Sequence, residues 1–235
     1  MPDNFKHIIM TSHTSAAGTV FWLIIPLLII CCSGGSGKPG PADENAGIPE
    51  YDSTFLFNGR DLDGWEITNF GPQGPVYVSG TTIVLGMGEG CTGITWKKEF
   101  PEMNYRISLE ARRVAGNDFF CGMTFPAGKE PCTLIVGGWG GTTVGLSTIN
   151  SMDASENQTT NFREFEKNRW YRISLLVHAD TIRALIDDEV VVNFVKGKYD
   201  ELSIRPEVEL SKPFGIASWY TTAQLRNIRL DKLDD

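Results

Sequence analysis

The stretch from residue 105 to 141, YRISLEARRVAGNDFFCGMTFPAGKEPCTLIVGGWGG, leaves this chain little choice of fold. It divides into three runs rich in β-branched and aromatic residues, YRISLEARRV, DFFCGMTF and PCTLIVGG, punctuated by Gly, Asn and Pro. Such runs read as successive strands, with turns expected at residues 115–117 and 126–131. In the first, Tyr105, Ile107, Leu109 and Ala111 alternate with Arg106, Ser108, Glu110 and Arg112. Side chains alternate between the faces of a strand, so the apolar set takes the core and Glu110 and Arg112 share the opposite face. In the second, Phe119, Cys121, Met123 and Phe125 form the apolar row, which sends Asp118, Phe120, Gly122 and Thr124 to the other side.

The rest of the chain from residue 51 has the same character. Strands are expected at residues 76–78, 82–85, 93–97, 143–149, 170–178, 181–187, 189–194, 215–219 and 224–230. Turn signals recur roughly every 8–12 residues, which is the pattern of a β-sandwich or barrel. Two turns are explicit, at His178-Ala179-Asp180 and Asp187-Asp188-Glu189, where Asp suits the turn backbone. Only residues 159–167 leave room for a short helix. No repeat or internal linker divides residues 51–235, so they form one domain around one core.

The first fifty residues differ. Residues 20–30 (VFWLIIPLLII) are apolar but too short for a comfortable membrane span, and Pro26 interrupts them. They match the hydrophobic region of a secretory signal. The following Cys31-Cys32-Ser33-Gly34 is similar to a bacterial lipobox. Cys32 is the better lipidation site because a small residue precedes it, and Cys31 remains open. This predicts a lipoprotein signal over residues 1–32, a flexible Gly/Pro/Ser tether over 33–50, and a domain exported and lipid-anchored to the bacterial cell envelope, in the periplasm or at the outer membrane.

Charge and cysteine use narrow the function. The whole chain carries −8. Lys6 and Lys38, against Asp3, Asp43, Glu44 and Glu50, lie before residue 51, so the remainder retains −6. An acidic domain without a Lys/Arg cluster argues against nucleic acid and against docking on anionic lipid; the membrane enters only through the N-terminal anchor. Cys91, Cys121 and Cys132 cannot all pair, and Cys121 lies in an apolar row as a core thiol. His178 is the only histidine after residue 50 and no CxxC occurs, which argues against a zinc site, so any metal would have to be an oxygen-liganded divalent cation such as calcium.

One loop bears on that cation. Asp153, Ser155, Asn157, Thr159, Asn161 and Glu164 fall at the ligand spacings of a calcium loop. Gln158 stands where the sharp-turn glycine belongs, and VGLSTI before the loop is strand rather than helix. A polar loop at the rim of a cleft is therefore the better reading, with Asp153, Glu156 and Asn157 as substrate contacts. Trp139, with glycines on both sides, suits an exposed stacking platform, whereas Trp65 and Trp170 suit the core.

At this point the chain resembles a family. FLFNGRDLDGW (residues 55–65), the LEARR strand, GND at residues 116–118, RWYRI (169–173) and LRNIRLDKL (225–233) follow the order of motifs in the 3-keto-disaccharide hydrolase domain family. The resemblance covers residues 53–233. It implies a concanavalin A-like jelly roll of two antiparallel sheets, a carbohydrate substrate, and cleavage of glycosides oxidised at C3 by C2 deprotonation and elimination. A non-catalytic glycan-binding lipoprotein on the same fold is the alternative. Under that chemistry Glu110 is the candidate base and Arg112 the clamp on developing negative charge, or the two are a surface ion pair. Asp118 binds sugar hydroxyls or stabilises its turn. Glu110, Arg112 and Asp118 are expected together on a concave face, with Trp139 beside them.

Overall fold

A computed structural model describes residues 53–234; the signal, lipobox and tether assigned to residues 1–50 lie outside the described residues. In chain order the early strands are β1 (Ser53–Phe55), β2 (Trp65–Ile67), β3 (Val76–Ser79), β4 (Thr82–Leu85) and β5 (Cys91–Trp96). The centre follows as β6 (Tyr105–Gly116), β7 (Cys121–Ala127), β8 (Glu130–Gly138), β9 (Thr143–Ser147) and β10 (Asn161–Phe162). The chain closes with β11 (Tyr171–Val177), β12 (Thr181–Ile186), β13 (Glu189–Val195), β14 (Gly215–Trp219) and β15 (Thr221–Lys232). One sheet has the order β13-β12-β11-β6-β15-β4-β3, with β1 added to β15; the other runs β10-β9-β8-β7-β14-β5-β2. All pairings are antiparallel, and the two sheets form a jelly-roll sandwich.

The alternation in β6 holds along its length. Tyr105, Ile107, Leu109 and Ala111 are buried between the sheets, where Cys121, Met123 and Phe125 of β7 and Cys132, Leu134 and Val136 of β8 meet them. Fully buried side chains of this kind contribute roughly 1.5–3 kcal/mol each. Tyr105 keeps its hydroxyl satisfied by donating to the Pro126 carbonyl at 2.5 Å. At the two-residue turn Asp187-Asp188, both residues adopt positive φ (51° and 69°), the geometry that matches the twist of the flanking strands.

Four expectations require correction. Phe119 does not continue the row of Cys121. It belongs to a separate cluster with Cys91, Ile135, Ala154, Val208 and Ala217, while Phe120 enters the main core. The chain bends at residues 117–120, before β7 starts at Cys121, so strand alternation does not extend back through the two phenylalanines. The turn expected at 126–131 shrinks to Gly128-Lys129, and Pro126 pairs opposite Pro131 inside the strands. Residues 159–167 form no helix; a short 3-10 helix instead occupies Pro206–Ser211, opened by its proline. Trp65 fills the core as expected, but Trp170 lies on the outer face of the first sheet between Arg112 and Arg226, 4.6 and 4.2 Å from its ring centre.

Candidate functional site

The cleft forms on the outward face of the second sheet because that face carries small side chains. Register aligns Gly93, Ala217, Gly122, Ile135 and Gly145 across β5, β14, β7, β8 and β9. Glycine is required here by close approach: a Cβ on Gly122 would lie 2.8 Å from the Phe119 ring, and one on Gly145 would press on Ala154 at 3.2 Å. The neighbouring row is polar and short, with Thr124 and Thr133 sharing a hydrogen bond at 3.1 Å and Ser147 beyond them. Chain segments from the loops settle over this trough. The resulting cavity of about 250 Å³ is lined by Asp118, Phe119, Trp139, Arg205, Glu207 and Trp219 above a floor that includes Thr133 and Ile135. It falls just below the ~300–1,000 Å³ of sites for drug-sized ligands, so it suits a small molecule.

Aromatic rings dominate the walls. Phe119 and Trp219 lie nearly parallel, 24° apart with centroids at 6.4 Å, and the Trp219 amide donates to the Phe119 carbonyl at 3.0 Å. Trp139 reaches the cleft from the glycine-rich turn between β8 and β9 and stays 42% exposed. Its φ of 46° is left-handed, which a tryptophan adopts only when its surroundings dictate it. Flat apolar faces with open area are what the C–H faces of a sugar ring pack against.

The polar groups have distinct commitments. Arg205 bonds Asp153 at 2.6 Å and Glu207 at 3.1 Å, and Asp153 also accepts from the Ser147 hydroxyl at 3.1 Å. Hydrogen bonding to Arg205 holds the Glu207 carboxyl below the usual range, and Glu207 in turn raises Arg205, so both remain charged. Asp118 is the cleft carboxylate without an ion-pair partner among the described residues. One of its oxygens accepts the Phe119 amide at 2.7 Å, and its own amide donates to Thr221 Oγ1 at 3.1 Å. Burial pushes the Cys91 thiol up to about 12, so it lines the cleft as a neutral group and not as a nucleophile.

The residues singled out from the sequence divide between two faces. Asp118 and Trp139 line the cleft together, and Asp153 stands behind it through Arg205 and Ser147. Glu110 and Arg112 do not join them. They leave β6 away from Leu109 and Ala111, as alternation requires, but β6 belongs to the other sheet, so its outward face is the opposite side of the sandwich. There Glu110 accepts from Arg226 at 2.5 and 3.0 Å and from Asn227 at 2.7 Å. Burial alone would raise its carboxyl, but these bonds outweigh burial and hold it below the usual range. Arg112 donates to Gln224 at 2.7 Å and lies over Trp170. The pair is therefore part of a surface network.

The loop at 153–164 holds further corrections. Asn157 is buried, and its amide nitrogen donates to the carbonyls of Leu146, Met152 and Asp153 at 2.7–3.1 Å. It shapes the loop and does not reach the cleft. Glu156 is exposed and outside the lining. With Asp153 on Arg205 and Asn157 on backbone, the calcium-like spacing does not gather its ligands, and no three His, Cys, Asp or Glu side chains converge among the described residues. Sequence reasoning missed Phe119, Arg205, Glu207 and Trp219. Thr133 and Ile135 were legible, since they alternate with Cys132, Leu134 and Val136 in β8. Arg205-Pro206-Glu207 carries no periodic signal.

Comparison with known proteins agrees with this picture. The family model described as a 3-keto-alpha-glucoside-1,2-lyase-like domain matches residues 52–231. A search of curated protein sequences gives no match. Among solved structures, the chain is similar to the carbohydrate binding module CBM66 from Bacillus subtilis, at 15% identity and TM-score 0.50, covering 76% of this chain and 100% of that one. A putative glycosyl hydrolase from Parabacteroides distasonis matches at 15% identity and TM-score 0.51, covering 77% and 94%. A Bacillus subtilis protein with a galectin-like fold matches at 9% identity and TM-score 0.54, covering 72% and 90%. At these identities the likeness is one of fold.

Proposed function

Because the chain belongs to the 3-keto-alpha-glucoside-1,2-lyase-like domain family, we propose that its cleft binds and cleaves glycosides oxidised at C3. The observation that carries the reading is Asp118, a carboxylate with no salt bridge among the described residues, beside three aromatic rings and with a charged arginine in the same cavity. A ketone at C3 acidifies the hydrogen on C2. Asp118 takes that proton, the electron pair moves into a C1–C2 double bond, and the C1–O bond breaks. The departing oxygen receives a proton, so the carboxylate is restored. Water then adds across the double bond and yields the free 3-keto sugar. Arg205, held by Asp153 and Glu207, supplies the cation for negative charge developing on the C3 oxygen.

Ordinary glycoside hydrolysis uses two carboxyl groups flanking the bond. Here Glu207 and Asp153 are both committed to Arg205, which leaves Asp118 as the cleft carboxylate without a salt bridge among the described residues. That favours a substrate already activated by oxidation. The same shortage also supports a second reading, a glycan-binding module without turnover. Incubating the domain with methyl 3-keto-α-glucoside and with its unoxidised parent separates the cases. Methanol release from the keto sugar alone is expected; equal release from both indicates an ordinary glycosidase, and binding without release indicates the module. The leader read at residues 1–32 extends the proposal to a lipid-anchored envelope protein. Labelled palmitate incorporation that survives replacement of both Cys31 and Cys32 would reject the anchor.

A further inference from the structure

Arg113 continues the inward row of β6 after Ala111, where an apolar residue is expected, and it is 6% exposed. A buried guanidinium is costly unless its donors are used. Its Nη2 donates to the carbonyls of Gly141 and Phe165, each at 3.1 Å, while its Nε has no hydrogen-bond partner among the described residues. The guanidinium also lies 5.7 Å from the centre of the Phe120 ring. Arg113 thus starts in one sheet, passes the end of the core, and is tied to the β8–β9 turn of the other sheet.

That turn is the one that presents Trp139. Across the end of β8 and the start of the turn, four of the five residues 137–141 have positive φ: Gly137 (79°), Trp139 (46°), Gly140 (88°) and Gly141 (109°). Within the turn, the Gly141 amide donates to the Gly138 carbonyl at 3.1 Å. A Cβ on Gly141 would stand 2.5 Å from Arg113 Nη1 and 2.9 Å from the Asn117 carbonyl, so the turn is seated directly on the guanidinium. Glycine takes positive φ freely, so the strain lies at Trp139; Arg113 supports the turn from beneath Gly141, as Phe120 does from beneath Gly137.

We propose that Arg113 is a positioning residue for carbohydrate binding, acting through the Gly137–Gly141 turn to hold Trp139 in the cleft. The ligand part of this proposal rests on the reading of the cleft as a carbohydrate site. Two measurements separate them. Without ligand, Arg113→Lys keeps the charge but loses the fork that reaches Gly141 and Phe165 together. It should speed amide hydrogen exchange in residues 137–141 and 163–167 while leaving β7 and β14 protected. With methyl 3-keto-α-glucoside, isothermal titration of Arg113→Lys, Trp139→Ala and the double variant, each built on Asp118→Asn so that turnover does not consume the sugar, forms a cycle. Each single change should weaken binding several-fold, and the double should be no weaker than Trp139→Ala alone. Additive losses, or unchanged exchange in the turn, would overturn the role. If Trp139→Ala leaves affinity intact, the carbohydrate reading of the turn falls, and the exchange data still decide whether Arg113 holds it. Gly141→Ala, which pushes a methyl group into the guanidinium, is the second variant should Arg113→Lys fold poorly; it should reproduce the local exchange and the loss of affinity.

Discussion

Replacing Trp139 with alanine tests the cleft most directly, because this side chain contributes to the site far more than to the fold. It is 42% exposed, so on the order of 100 Å² of a tryptophan's area remains open to a ligand. A sugar ring stacked on one face covers about half of that, and at ~25 cal/mol per Å² the contact is worth ~1.3 kcal/mol. The expected result, with Asp118→Asn as the common background so that turnover does not consume the sugar, is a dissociation constant for methyl 3-keto-α-glucoside weakened about tenfold in isothermal titration. Stability should barely move. A substitution outside the core usually stays within about 0.5 kcal/mol, which in a domain of this size shifts the melting temperature by no more than ~2 °C. An affinity within about twofold of the parent, at an unchanged melting temperature, would refute the stacking argument.

Asp118→Asn preserves an oxygen to accept the Phe119 amide, so the fold should hold while turnover of the 3-keto glucoside drops by roughly 10²–10⁴, the usual worth of a general base; unchanged turnover assigns the proton transfer elsewhere. Asp231→Asn removes a buried carboxylate that accepts from Ser53 at 2.6 Å, Arg106 at 2.7 Å and Arg229 at 2.9 Å. Because Arg106 and Arg229 are 33% and 40% exposed, the cost should be about 2–3 kcal/mol, between the values for surface and fully buried pairs. Burial alone would raise the Asp231 carboxyl, but Ser53 and the arginines outweigh it and hold it low. Its stabilisation is therefore fully present above the unfolded value near ~3.9 and is lost as pH falls through the lower folded value. The gap between parent and variant in thermal melts should be constant from neutrality to about pH 5 and shrink below pH 4; a gap that widens in acid contradicts the assignment. Phe125→Ala, at a fully buried position facing the first sheet, should cost roughly 3–5 kcal/mol, and an unchanged melting curve would place that residue outside the core.

Periodicity determined the local facts in advance. Tyr105, Ile107, Leu109 and Ala111 share a face because strand geometry imposes a two-residue repeat, and that repeat needs no information from the rest of the chain. The same holds for Thr133 and Ile135, which leave β8 opposite Cys132, Leu134 and Val136. Trp139 in its setting of glycines was also recognisable, since a bulky ring among residues that cannot pack around it calls for another use.

Which side of the sandwich each face belongs to was a different matter. Glu110 projects outward as alternation requires, yet it pairs with Arg172 of β11 and Arg226 of β15, both distant in sequence, and those pairings put it on the far sheet from Trp139. A two-residue repeat distinguishes inside from outside and carries no label for the sheet. Phe119 and Phe120 exchanged roles for a related reason: the bend before β7 breaks the repeat, and the glycine at 122 opens the outer seat that one ring fills. Arg205, Glu207 and Trp219 converge with Asp118 only once β14 lies beside β7 and the 3-10 helix crosses that face. Strand faces follow from bonds between neighbours in sequence, whereas the cleft follows from contacts between residues far apart, and only the folded chain specifies those.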